Sequence, residues 1–141
     1  MTLTAEDSIA ILQLVARADT LATARDADTY VGLFTADASM SGAMGAATGR
    51  EQLGQTVERV WAGEPVGTLH LTLNAVIDHD GTDIVVNSVM LMVGPGAVPT
   101  VLGAADVRQR IVNTAVGWRI AERTISEHDL RSGQDTKPSG G

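Results

Sequence analysis

The chain contains no cysteine, which excludes disulfides, thiolate zinc sites, iron–sulfur clusters and cysteine nucleophiles. Aromatic residues make up only 3% and are Tyr30, Phe34, Trp61 and Trp118. A core must therefore be built from Ala, Val, Leu, Ile and Met, and a ligand cavity would have small or flexible walls. Basic residues are also scarce, ten against seventeen acidic, for a formal net charge of −7. That balance repels phosphate backbones and anionic lipid surfaces, so neither nucleic acid nor a membrane is an expected partner. No stretch approaches about 18 uninterrupted apolar residues, and no basic region precedes the first apolar one. The cytoplasm is the expected compartment.

What is present is a globular composition, 44% hydrophobic and 19% charged in 141 residues. One domain is expected over residues 1–130, followed by a Ser- and Gly-rich tail, 131–141, that reads as disordered. A chain of this size buries roughly two-thirds of its unfolded surface and needs no metal to fold.

Residues 5–24 contain almost no breakers and place Ile9, Leu12, Ala16, Asp19 and Thr23 on one helical face, with Thr4 and Asp7 spaced as a capping box. A turn over 25–28 leads to a short helix predicted over 28–34, with Tyr30, Leu33 and Phe34 inward, and a strand from Asp37. Thr48-Gly49-Arg50-Glu51 has the spacing of a second capping box and opens a helix to about Ala62. From Thr68 the period becomes two. Leu69, Leu71, Leu73, Ala75 and Ile77 alternate with His70, Thr72, Asn74 and Val76. Strands over 84–93, 101–112 and 117–127 follow, and the order predicts α+β architecture with an antiparallel sheet.

Four motifs stand in this order: Leu33-Phe34-Thr35-Ala36-Asp37, Thr48-Gly49-Arg50-Glu51-Gln52-Leu53, His70 with Asn74, and Gly117-Trp118-Arg119-Ile120-Ala121-Glu122-Arg123. Together they resemble the SnoaL-like branch of the NTF2-like superfamily, from about Ala5 to Asp129. The resemblance implies a cone-shaped α+β barrel, a curved antiparallel sheet packed on three N-terminal helices with a pocket inside. It also implies a homodimer formed through the outer sheet face. Similar domains include polyketide cyclases, scytalone and bile-acid dehydratases, ketosteroid isomerase, limonene epoxide hydrolase and a dehydrochlorinase, so the fold does not choose the chemistry.

The dehydratase and dehydrochlorinase relatives imply a proton-shuttling histidine on the first long strand, here His70, oriented by a carboxylate from the first helix. The matching helix position holds Thr23. Asp19, one turn earlier, is the alternative orienting residue, and its bland reading is an ion pair with Arg108 or Arg110. Asn74 and Tyr30 are candidates for positioning an oxygenated substrate, with Met90 and Trp61 as apolar walls and Arg108 as a further contact. The expected ligand is an apolar or oxygenated small molecule, and the expected chemistry is that of a lyase, isomerase or cyclase without a cofactor. The competing reading is a non-catalytic binding or assembly module in which His70 is structural. Asp106 and Arg108 share a strand face and carry a third, epoxide hydrolase, reading. Arg123 is set aside, because the dehydrochlorinase arginine aligns with Ser126 and an odd offset of three changes face. Three scattered histidines make no metal site.

Overall fold

The computed structural model describes residues 2–43 and 45–128; the expected tail, 131–141, lies outside them. The order is α1 (Ala5–Ala24), α2 (Ala27–Val31), β1 (Phe34–Gly42), β2 (Gly45–Thr48), α3 (Arg50–Ala62), β3 (Leu69–Asp80), β4 (Asp83–Gly94), β5 (Thr100–Thr114) and β6 (Gly117–His128).

The capping box at α1 forms as spaced: Asp7 N–H donates to Thr4 Oγ1, and Thr4 N–H donates to Asp7 Oδ2, both at 3.0 Å. The buried face of α1 is Ile11, Leu14, Val15, Ala18, Asp19 and Ala22. This corrects the expected stripe, since Ile9 is exposed and only Asp19 of the stripe is buried. Both stripes are apolar, and the one carrying Ala18 and Ala22 allows closer approach to the sheet. The second helix ends at Val31, and Phe34 already pairs with Ile120 in the sheet. Phe34 is fully buried, inward as expected but from a strand. At α3 the cap is Gly49, at φ 83°, with no side-chain cap bond. Gln52 Oε1 accepts from Thr48 N–H at 3.1 Å, so the predicted box at Thr48 is replaced by a glutamine reaching back.

The strands form one open, curved, six-stranded sheet in the order β2-β1-β6-β5-β4-β3. It is mixed rather than wholly antiparallel, because β1 and β6 run parallel. Alternation along a strand specifies its faces and not the direction of its neighbour. The core lies between the inner face and the helices, centred on Ile11, Val15, Phe34, Leu53, Val86, Ile111 and Ile120.

Two bulges set the faces. In β3 the register to β4 shifts between Leu73 and Val76, and Asn74 sits in the left-handed region at φ 54°. His70 and Thr72 face inward above it, and Ala75 and Ile77 pack against the core below it. The uninterrupted alternation read from the sequence is therefore corrected. Leu69, Leu71 and Leu73 share the outer side with Val76, while Ala75 and Ile77 cross over. The second bulge lies in β6, where Ile111 pairs with Ile120 but Arg110 pairs with Glu122, leaving Ala121 as the additional residue.

Candidate functional site

The inner face and the helices enclose a cavity of about 280 Å³. Its walls are mostly apolar, with Trp61 from α3, Met40 from β1, and Met90 and Met92 from β4. Tyr30 anchors one side, its ring 5.2 Å from Trp61 in an edge-on contact and 5.1 Å from Phe34. Into this surface project a few polar groups, chiefly His70, Glu64, Tyr30 and Arg123.

His70 is 6% exposed. Its Nε2 lies 3.0 and 3.1 Å from the two carboxylate oxygens of Glu64. Its Nδ1 is buried and has no hydrogen-bond partner among the described residues. A carboxylate on Nε2 selects the tautomer protonated there and leaves the lone pair on Nδ1, the form suited to accepting a proton. The C-terminus of α1 fixes both members of this pair. His70 N–H donates to Thr23 Oγ1 at 2.8 Å. Arg25, in the left-handed cap position at φ 57°, donates to the carbonyls of Glu64 and Pro65 at 2.8 and 3.1 Å. Thr68 Oγ1 donates to Pro65 O at 2.6 Å and braces the same loop.

Asp19 does not supply the carboxylate for His70. Its Oδ1 accepts from Arg123 Nη2 at 2.9 Å, and its Oδ2 accepts from the Thr72 hydroxyl. Arg123 Nη1 donates to Gln109 Oε1 at 3.0 Å. Burial works against the arginine's charge, while Tyr30 and Asp19 hold its pKa above the ordinary value. Burial raises the pKa of the Tyr30 phenol; Arg123 opposes that shift and Asp19 adds to it. The hydroxyl donates to Met40 Sδ, at 3.9 Å.

Of the residues picked from sequence, the structure brings His70, Tyr30, Trp61 and Met90 to the cavity, with Thr23 behind His70 and Asp19 behind Arg123. Asn74 and Arg108 are not there. The β3 bulge leaves Asn74 on the outer face, where it lines a shallow depression with Asp78, Asn87, Asp106 and Arg108. Arg108 pairs with Asp80 at 2.7 Å and Asp106 with His128 at 3.2 Å. The epoxide hydrolase reading loses its premise, because this acid and guanidinium are bound to other partners on the far side of the sheet. Asp19 is paired, but with Arg123 rather than Arg108 or Arg110.

Two polar side chains of the cavity escaped the sequence. Glu64 lies past the end of α3 in a turn, where an acid ordinarily faces solvent; its signal is a lone carboxylate between Gly63 and Pro65, six residues before His70. Arg123 faces inward only because Ala121 shifts the alternation by one.

The model for the SnoaL-like domain matches residues 3–124. The chain belongs to the SnoaL-like domain family. No curated protein matches it. Among solved structures, a Nostoc punctiforme protein of unknown function with a cystatin-like fold is 25% identical, with a TM-score of 0.83, over 92% of this chain and 97% of that one. An NTF2-like protein from Novosphingobium aromaticivorans is 21% identical, with a TM-score of 0.76, over 91% and 86%. ActVI-ORFA from Streptomyces coelicolor is 16% identical, with a TM-score of 0.74, over 87% and 98%. These likenesses establish the NTF2-like, cystatin-like fold for the SnoaL-like chain. Among its described residues no helix is long and apolar enough to cross a membrane.

Proposed function

We propose that this SnoaL-like protein is a lyase, isomerase or cyclase working without a cofactor, in which His70 moves a proton on an apolar or oxygenated small molecule. One observation carries the reading: a buried histidine at the cavity has Nε2 held by Glu64 and Nδ1 without a partner among the described residues. Nδ1 takes a carbon-bound proton, Glu64 stabilises the imidazolium that results, and Thr23 and Arg25 keep the two side chains in register. Asp19 belongs to a separate buried pair and takes no part in orienting the imidazole.

The test is hydrogen exchange in deuterated water with a panel of cyclic ketones and oxygenated aromatics. Exchange at carbon is expected with the native protein. It should fall by about 100-fold or more in His70→Gln, in line with the usual contribution of a general base. Glu64→Gln should lose less and shift the pH profile. Compounds that bind without exchanging would make the chain a binding protein with a structural His70.

The outer face supports a homodimer. Leu69, Leu71, Leu73 and Val76 are 45, 38, 40 and 53% exposed on one strand, with Leu91 and Val93 beside them on β4. A contiguous apolar surface of this kind is the sort that oligomers cover. Light scattering should give twice the chain mass, and Leu71→Asp should return it to the monomer.

A further inference from the structure

Across the neighbouring strands β3, β4 and β5, His70 pairs with Met92 and Met92 pairs with Gly103, which makes one row on the inner face. All three residues border the cavity. Cross-strand neighbours stand about 4.5–5.5 Å apart at Cβ, so the long side chain of Met92 can lean over either partner. It leans over the glycine. A Cβ at position 103 would stand 3.1 Å from Met92 Cε, inside the usual separation of about 3.5–4.0 Å between carbon atoms. The methionine methyl thus occupies the place of the side chain that Gly103 lacks and is drawn away from His70. The backbone gives no other reason for a glycine here, since φ at Gly103 lies outside the left-handed region.

The surroundings leave Met92 one direction of retreat. Along β4 on one side is Met90, whose sulfur accepts from Arg123 Nη2 at 3.8 Å. On the other side Leu102 lies across Gly94, its Cδ2 3.2 Å from where a Cβ would stand. A side chain at position 103 closes the third side, and what remains is the cavity beside His70. Met92 is half-buried and unbranched, and unlike Met90 it has no donor on its sulfur among the described residues, so it yields before the backbone does. The cavity is small, about 280 Å³ against roughly 300–1,000 Å³ for sites that take drug-sized ligands, and one displaced methionine removes a large share of it.

We propose that Gly103 is a specificity-determining residue, which sets the largest ligand the cavity takes by letting Met92 lie over β5 and so keeping clear the space in front of His70. The proposal rests on the reading above that the cavity takes a small molecule, and it does not require His70 to transfer a proton.

The experiment measures affinities for phenol, 1-naphthol and 9-phenanthrol by ligand-observed NMR, in the native chain and in Gly103→Ala, Met92→Ala and the double variant. The largest compound that the native chain binds should lose about tenfold or more in Gly103→Ala. Adding Met92→Ala should restore it, and Met92→Ala alone should strengthen binding of the next larger compound. A second readout needs no ligand. In protein labelled at the methionine methyl groups, the Met92 methyl should show a nuclear Overhauser contact to Gly103 in the native chain and to the His70 ring in Gly103→Ala. If Gly103→Ala does not fold, the gain in Met92→Ala decides. An unchanged size limit in Gly103→Ala, a loss that Met92→Ala does not repair, or a Met92 methyl that never reaches the His70 ring overturns the role of Gly103 and leaves the cavity reading intact. Binding of no compound by the native chain overturns both.

Discussion

Each face of the sheet carries an Asp–Arg pair, and the two look alike until their surroundings are compared. Inside, Asp19 and Arg123 meet at 2.9 Å with side chains 4 and 2% exposed. Outside, Asp80 and Arg108 meet at 2.7 Å with side chains 72 and 43% exposed. The shorter contact is the weaker device. Water screens the outer pair and would solvate either partner alone, whereas neither inner charge has another place to go. Distance therefore ranks these interactions in the wrong order.

The comparison can be broken most forcefully from inside. Arg123→Met strands a buried carboxylate and should cost about 3–5 kcal/mol in denaturant unfolding, while Arg123→Met combined with Asp19→Leu should cost less than the single change. If the single change costs no more than an outer-face change, the contrast between faces is wrong. Next comes the hinge between the two environments on β3. Asn74→Val puts a β-branched residue at φ 54° and should destabilise by about 1–2 kcal/mol, whereas Asn74→Gly should be nearly neutral. A neutral Asn74→Val would mean that the bulge can relocate.

A pH experiment sharpens the inner side. Burial raises the Tyr30 pKa above its ordinary 10.0, so the folded state keeps this proton longer than the unfolded one. Its contribution is complete below pH 10.0 and declines as pH rises through the folded value, at no more than about 1.4 kcal/mol per pH unit. Unfolding curves above that pH should show the decline, and Tyr30→Phe should flatten it. The smallest effect belongs outside: Asp80→Ala or Arg108→Ala should change stability by about 0.2–1 kcal/mol, and less in high salt.

Much of the architecture was legible because it follows local rules. Thr4 and Asp7 announce the start of α1, and the change to period two at Thr68 announces the sheet. The site was legible only where side-chain direction follows from uninterrupted alternation, as at His70. One extra residue reverses every later side chain in a strand, and neither bulge has a mark in composition. Asn74 thus went to the wrong face, and Arg123 was discounted because counting from Trp118 puts Ser126 inward, whereas the bulge at Ala121 turns Ser126 outward and Arg123 inward. Glu64 is harder still, since its meeting with His70 depends on Arg25 gripping a turn from the end of α1. The parallel partnership of β1 with β6 is likewise a property of the whole chain.

The Asp19–Arg123 pair spans 104 positions of sequence, and that span has a consequence for synthesis. The ribosome releases α1 long before it makes β6, so Asp19 emerges while its arginine has yet to be polymerised. In that interval the carboxylate is better placed in water, because docking α1 on β3 would bury a charge whose counter-ion has not yet been made. Until β6 exists, only the Thr72 hydroxyl of β3 would meet that carboxylate inside the fold, so the last strand brings the charge that makes burial of Asp19 favourable.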